Sequence, residues 1–344
     1  MSNNMNIEVA DRIPIYKQLL EHFETEIIGG SLKPGDVVPS MNELASHLEI
    51  SKETVKKTYG ILCQRGLLEA RQGKGFFVAS RTKSSRLRIL ILVDSLSPYR
   101  QAFINAFSEK MGKKAEIAFF LHNQDVDLLR FFLDKSLGKY DYYIVTPHFS
   151  GNEQIHTEAI KQLSRIPNRQ LILADNWDRD LQGNYGAVYQ DYEHDAVDSL
   201  KGALTEIRMY PCFDVFRMSN SLYGDIIQNS IGEFCRENGI KVKFHKNISP
   251  DEIHGCQLCL FLNSQADQML FTINEIAEQK KLKIGKDIKV ISYNETPICE
   301  LVLGGLSTIS SDFAEMGRLC AEMIKEGSMS KIKCPFRMIR RRTF

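Results

Sequence analysis

The sequence predicts an α/β chain in two parts: a small head of helices closed by a β-hairpin, and a larger body of parallel sheets arranged as two lobes. Three observations predict it. Apolar residues recur at helical spacing up to Gly66, then in two short runs split by a glycine-bearing turn. From Leu87 onward, short apolar runs alternate with helical stretches, which is the pattern of parallel sheets with helices on both faces. The stretch from Leu87 to Phe344 is too long for one comfortable sheet, so two lobes are expected.

In the head, Ile15, Leu19, Phe23 and Ile27 mark a first helix, stopped by Gly29-Gly30. Lys33-Pro34-Gly35-Asp36 reads as a turn. Ser40 with Glu43 three residues later is a capping box for a second, short helix carrying Leu44, Ala45 and Leu48. Ser51 caps a third, in which Val55, Tyr59 and Leu62 face inward while Lys52, Glu53, Thr54, Lys56 and Lys57 are displayed. The strands Leu67–Arg71 and Phe76–Val78 follow, joined by Gln72-Gly73-Lys74-Gly75. This order is a winged helix-turn-helix over residues 1–80. Its third helix fits a major groove, its lysines neutralise phosphates, and Glu53 and Thr54 are short enough for base edges.

Composition is that of a soluble globular chain: 43% hydrophobic, 25% charged, net charge +1. Between Ile50 and Arg86, nine Lys/Arg stand against two acids. That local excess suits an anion-binding face, and it also suits a merely solvated one. No run reaches the roughly 18 apolar residues of a membrane span, and Met1 to Ala10 lacks an apolar signal core. A cytoplasmic chain is expected, with its eight cysteines reduced. Cys256 and Cys259 form one CxxC that runs into Leu258–Leu262. A tetrahedral zinc site needs four ligands, so we read a buried strand there and no metal.

Residues 81–86 are polar and read as a linker; the body occupies 87–344. Strands are expected at Leu87–Val93, Ile117–Leu121, Tyr142–Val145, Gln170–Ala174, Ala187–Tyr189, Phe213–Met218, Cys256–Leu262 and Ile288–Ser292. Helices are expected at Phe103–Met111, Ile155–Leu163 and His194–Glu206. Arg337-x-x-Arg340-Arg341-Arg342 looks like a second DNA patch but is more often a charged last strand of the second lobe, and no function is assigned to it. Ligands of such sheets sit beyond the strands' carboxyl ends.

Several short motifs of the head occur in a recognisable order: Pro14-Ile15-Tyr16-x-Gln18-Leu19, Leu32-x-Pro34-Gly35-Asp36, Pro39-Ser40-x-x-Glu43-Leu44-Ala45, Ser51-x-x-Thr54-Val55, Gly66-Leu67-Leu68 and Gly73-Lys74-Gly75-x-Phe77-Val78. They resemble the DNA-binding domain of the GntR family of bacterial regulators. The resemblance implies DNA contacts from Ser40, Asn42, Lys52, Thr54, Lys56 and the wing residues Gln72, Gly73 and Lys74, to which Glu53 and Lys57 are added from the helix opening. Many members carry Arg where this chain has Asn42, Lys52 and Lys56. Lysine is a point charge rather than a bidentate fork, so no operator sequence is implied.

The body resembles the periplasmic-binding-protein-like (type I) effector domain of the LacI group, as joined to GntR heads in arabinose-type repressors. The motifs are Leu90–Asp94 followed by Pro98-Tyr99, Val188-x-x-Asp191, Leu260–Ser264, Val290–Glu295, Gly305–Ile309 and Glu315–Arg318. The resemblance implies a monosaccharide between the lobes and a homodimer formed through this domain. Candidate effector contacts at matching strand ends are Tyr99, Arg100, Asp175, Asn176, Trp177, Asp191, Tyr223, Asn263, Asn294 and Glu295. A sugar needs hydrogen-bonding groups and an aromatic platform. Trp177 is the only tryptophan and serves either stacking or packing; Asp191 either orients the hinge or touches ligand. Asn294 stands where relatives often carry Asp.

The expected function is a sugar-controlled transcription factor, a repressor of carbohydrate-utilisation genes that binds double-stranded operator DNA. A second reading keeps the head and replaces the sugar with a nucleoside, amino acid or phosphorylated metabolite, for which Arg100 would supply the charge. A third, an enzyme acting on a sugar, lacks a P-loop, GxSxG, metal pair or diagnostically spaced carboxylates. No catalytic residue, cofactor or membrane partner is expected.

Overall fold

The computed structural model describes residues 14–28, 30–64, 66–79, 86–149, 152–217, 222–262 and 266–344. The chain divides into two compact units, with the main boundary at Leu87. Of the sequence expectations, the linker residues 81–85 and the candidate contact Asn263 lie outside the described residues.

The head contains α1 (Ile15–Ile28), α2 (Met41–His47), α3 (Lys52–Gln64) and the antiparallel hairpin β1 (Leu68–Arg71) with β2 (Gly75–Val78). Its core forms where the 3.6-residue spacing places it: Leu19, Phe23, Leu44, Val55, Tyr59, Leu62, Leu68 and Val78 are all buried. The capping box is present, with Ser40 Oγ accepting from Glu43 N at 3.2 Å and Ser40 N donating to Glu43 at 2.8 Å. Ser51 Oγ accepts from Thr54 N at 3.1 Å at the start of α3. Tyr59 Oη donates to Pro39 O at 2.7 Å, which ties the middle of α3 to the turn before α2.

In the body, lobe one is built from β3 (Leu87–Val93), α4 (Pro98–Met111), β4 (Ala115–Leu121), α5 (Val126–Ser136), β5 (Tyr142–Val145), α6 (Glu153–Leu163), β6 (Leu171–Asp175) and β7 (Gly186–Tyr189). The chain then crosses to lobe two: α7 (Asp195–Lys201), α8 (Leu204–Ile207), β8 (Phe213–Phe216), α9 (Gly224–Glu237), β9 (Val242–His245), β10 (Gln257–Phe261), α10 (Ala266–Gln279), β11 (Ile288–Tyr293) and β12 (Ser307–Ser311). It returns through α11 (Phe313–Glu326) and β13 (Lys331–Lys333), and crosses once more to β14 (Phe336–Ile339). Among the described residues these strands form two six-stranded sheets, ordered β13-β7-β6-β5-β3-β4 and β14-β12-β11-β10-β8-β9. β14 runs antiparallel to β12; β5, β6, β7 and β13 run parallel to their neighbours, as do β8, β10, β11 and β12 to one another. Central strands buried on both faces read as the continuous apolar runs seen in the sequence. Helix α11 lies against α4 so closely that a Cβ on Gly317 would meet Phe103 O at 2.3 Å.

Three expectations are corrected. The helix expected from Phe103 starts at Pro98, because Ser97 Oγ accepts from Arg100 N and proline suits the first helical position. Tyr99 and Arg100 therefore stand in a helix's first turn. The helix expected over His194–Glu206 is broken at Gly202 into α7 and α8. The strand expected to reach Met218 ends at Phe216. The arginines at the chain's end are held by acids of the body: Arg337 Nη2 is 3.4 Å from Asp312, Arg340 Nη1 2.5 Å from Glu206, and Arg341 Nη2 2.9 Å from Glu295.

Candidate effector cleft and nucleic-acid interface

On the head, Asn42, Lys52, Glu53, Lys56 and Lys57 are exposed on the first turns of α2 and α3, and Gln72, Gly73 and Lys74 are exposed at the hairpin turn. Gly73 has φ 73° and Gly75 φ 96°, a backbone that side chains rarely adopt, so this turn needs glycine. Some candidates are already engaged. Ser40 spends its hydroxyl on the cap, Thr54 is half-buried with its hydroxyl 2.8 Å from Ser51 Oγ, Lys56 Nζ sits 3.5 Å from Glu53, and Lys57 Nζ lies 3.7 Å above the Tyr16 ring.

In the body, the carboxyl ends of β3, β5, β6 and β7 in lobe one and of β10 and β11 in lobe two open onto a shared cleft. Lobe one contributes Asp94, Tyr99, Arg100, Gln124, His148, Asp175 and Phe313. Lobe two contributes Tyr192, Leu222, Tyr223, Ile227, Leu262, Tyr293 and Asn294. Gln190 lies at the crossing between them. Asp175 (φ 77°) and Asn294 (φ 72°) hold left-handed backbone conformations at strand ends, a strain that clusters at functional sites.

The electrostatic centre is Arg100. It is 2% exposed, donates through Nε to Asp94 Oδ1 at 2.8 Å and through Nη2 to Asp175 Oδ2 at 2.6 Å. Thr146 Oγ1 donates to Asp94 Oδ1 at 3.0 Å, and Gln190 Nε2 donates to Asp175 Oδ1. His148 Nε2 approaches Asp175 Oδ2 to 2.9 Å, off the hydrogen-bond axis. Burial works against charge at both carboxylates, but the Arg100 guanidinium and His148 outweigh it and hold Asp175 and Asp94 below the usual carboxylate range. Burial likewise opposes the charge on Arg100, and its two acids overcome it. Behind this centre, His122 Nε2 donates to Thr146 O at 3.0 Å, while its Nδ1 is buried without a partner among the described residues. Burial pushes the His122 pKa down to about 4. Asn294 Oδ1 is also buried without a partner among the described residues, at the wall of the cleft.

Of the sequence candidates, Tyr99, Arg100, Asp175, Tyr223 and Asn294 line the cleft. Four others are placed elsewhere. Asn176 donates to Tyr223 Oη at 3.1 Å, bridging the lobes outside the lining. Trp177 packs on Tyr189 with ring centroids 5.3 Å apart and is not among the lining residues. Asp191 accepts from Glu193 N and His194 N at the opening of α7 and sits 3.7 Å from Lys333 Nζ, which suits the hinge alternative. Glu295 is not among the residues lining the cleft: Arg341 grips both its oxygens at 2.9 and 3.0 Å and Thr308 adds a third bond. Asp94, Gln124, His148, Gln190, Tyr192, Tyr293 and Phe313 were not singled out. Asp94 carried a signal, a carboxylate directly after the β3 run, whereas His148 and Gln190 are placed only by the pairing of distant strands.

Comparison with known proteins agrees with this architecture. Residues 15–78 match the family described as bacterial regulatory proteins, gntR family, and residues 250–340 match the periplasmic binding protein-like domain. The HTH-type transcriptional repressor YtrA of Bacillus subtilis (strain 168) is 31% identical over 81 residues, 24% of this chain and 62% of that repressor, so under two thirds of the relative is spanned. A periplasmic binding protein/LacI transcriptional regulator from Alkaliphilus metalliredigens QYMF, solved with D-xylulofuranose, is 14% identical with a TM-score of 0.55, covering 74% of this chain and 98% of that one. The trehalose repressor from Escherichia coli is 13% identical with a TM-score of 0.59, covering 74% and 100%. Among the described residues no helix is long and apolar enough to cross a membrane. The chain thus joins a GntR-type helix-turn-helix head to a periplasmic-binding-protein-like body with the LacI-type fold.

Proposed function

We propose that this chain is a DNA-binding transcriptional regulator, a repressor, whose operator affinity is set by a monosaccharide held between the lobes of its body. The observation that carries the sugar reading is the state of Arg100. The cleft's guanidinium is already spent on two carboxylates, Asp94 and Asp175, so an anionic effector would meet a centre with no surplus positive charge from that group. A neutral polyol suits it better: hydroxyls donate to carboxylates and to Asn294 Oδ1, and tyrosine rings cover a C–H face. The committed guanidinium also weighs against the phosphorylated-metabolite alternative. The names of the similar solved proteins, one bound to D-xylulofuranose and one a trehalose repressor, support the same direction. Asp94 and Asp175 are both committed to Arg100, so the reading contains no catalytic step.

In this account two heads act together in a homodimer on a palindromic site, exposed Lys52 and Lys74 meet phosphates, and the start of α3 enters the major groove. Ligand changes the angle between the lobes and thereby the affinity for DNA. Calorimetry with a panel of neutral pentoses, hexoses and disaccharides, alongside their phosphates, tests the effector assignment. Binding confined to neutral sugars supports it. Binding confined to phosphates, or to none of the sugars, overturns it.

A further inference from the structure

Two of the three crossings between the lobes meet at one buried amide. Gln190 follows β7, where the chain first leaves lobe one, and is 4% exposed. Its Nε2 donates to Asp175 Oδ1, at the end of β6 in lobe one, and to Tyr192 Oη at 3.0 Å. Its Oε1 accepts from Tyr293 Oη, at the end of β11 in lobe two, at 3.3 Å. It also accepts from Ser311 Oγ, where β12 hands the chain back toward lobe one, at 3.3 Å. A primary amide has two N–H donors and two acceptor lone pairs, and here all four are used. The orientation is fixed chemically, because an ionised carboxylate only accepts and Nε2 must therefore face Asp175. The same Asp175 holds Arg100 and lies beside His148 in the cleft. A continuous series of contacts therefore runs from the cleft through Asp175 and Gln190 to Tyr293 in the other lobe.

We propose that Gln190 is the positioning residue that couples events in the cleft to the angle between the lobes. The coupling rests on the reading of the cleft as a ligand site, although the role of Gln190 at the hinge stands apart from the ligand's identity. A buried, saturated amide has no spare donor or acceptor, so a change in what Asp175 accepts is passed to Tyr293 and Ser311 rather than absorbed. Rotation of one lobe against the other breaks the Asp175 bond or the Tyr293 bond and leaves a buried group unpaired, which gives the hinge discrete arrangements rather than a continuum.

Hydrogen–deuterium exchange on the full chain without ligand tests this. Three backbone bonds report the crossings: Gln190 N to Asp175 O at 3.2 Å, Asp312 N to Pro335 O at 2.9 Å and Cys334 N to Tyr189 O at 2.7 Å. Gln190→Met keeps similar bulk and removes every donor and acceptor; Gln190→Glu sets a carboxylate against Asp175; Ser311→Ala deletes one bond of the four. Exchange at the three segments is expected to rise about tenfold in Gln190→Met, further in Gln190→Glu and less in Ser311→Ala, with β5 and β10 keeping wild-type protection. Wild-type protection of all three segments in every variant would overturn the proposal. So would an equal rise throughout both sheets, which would mark Gln190 as packing alone. Because no ligand is present, a failed sugar panel leaves this result readable, and failure here leaves the cleft assignment intact.

Discussion

Arg100 Nη2 lies 2.6 Å from Asp175 Oδ2, and both side chains are 3% exposed. The pair joins the first turn of α4 to the end of β6, residues 75 positions apart. With Asp94 on the other side, one cation serves two buried acids. Breaking such a group from one side leaves uncompensated charge in the interior. Arg100→Met is therefore expected to lower stability by about 3–5 kcal/mol in urea unfolding. Asp175→Asn is expected to cost less, since Asp94 still pairs with Arg100. Equal stability of wild type and Arg100→Met would mean that the site is wetter than its burial implies.

His122 gives a pH test of the same sign as the acids but in a higher window. Its folded pKa of about 4 lies below the ordinary imidazole value, so the unfolded chain binds more protons in between. Stability is expected to fall by about 3 kcal/mol as pH drops from about 6.5 to 4. His122→Gln keeps a donor toward Thr146 O and removes that titration, so its stability is expected to stay flat over the window. The acids Asp94 and Asp175 act lower: their contribution is present above the ordinary carboxylate pKa and is lost as pH falls through their depressed values. Urea midpoints across the pH range separate the two.

Gly317 tests the packing that carries Arg100. A Cβ there would meet Phe103 O at 2.3 Å and Phe107 N at 3.0 Å, both backbone atoms of α4. Gly317→Ala must push α11 off α4 and is expected to cost about 1–3 kcal/mol despite alanine's better helix propensity. A stabilised variant would show that the two helices part freely.

Asn294 and Glu295 are neighbours in sequence with different tasks. Asn294→Ala removes an unpartnered buried acceptor at the cleft and is expected to weaken sugar binding at least tenfold, about 1.4 kcal/mol. Glu295→Gln, whose carboxylate is held by Arg341, is expected to leave sugar affinity within about twofold. Calorimetry on both variants checks the contrast; the reverse order would return Glu295 to the site.

How far the sequence foretold this structure follows from what each signal reports. The head was legible because caps, turn glycines and helical spacing are local: Ser40 with Glu43, Gly73 with Gly75, and Leu19 with Phe23 each declare their geometry within four residues. Strands of the body were legible to within a residue or two where apolar runs are buried on both faces, as at β3 and β5. The cleft was half legible. Strand ends proposed Asp175 and Asn294, but His148, Gln190 and Tyr293 meet only after two sheets are assembled and the chain has crossed between them three times. The last crossing, β13 to β14, is short and rich in basic residues, so periodicity gave no hint that Lys331–Lys333 pairs with β7. The engagement of Glu295 was not legible because its partner Arg341 lies 46 residues away.

In the proposed function α3 and the hairpin hold a duplex under control of the cleft. Fluorescence anisotropy of labelled fragments from the chain's own promoter region, titrated from roughly 50 to 200 mM salt with and without the sugar panel, tests it most directly. Affinity is expected to fall steeply with salt, the salt slope to drop by about one for each of Lys52→Ala and Lys74→Ala, and affinity to shift when a sugar binds. No salt-sensitive binding to any fragment, with or without sugars, would contradict it.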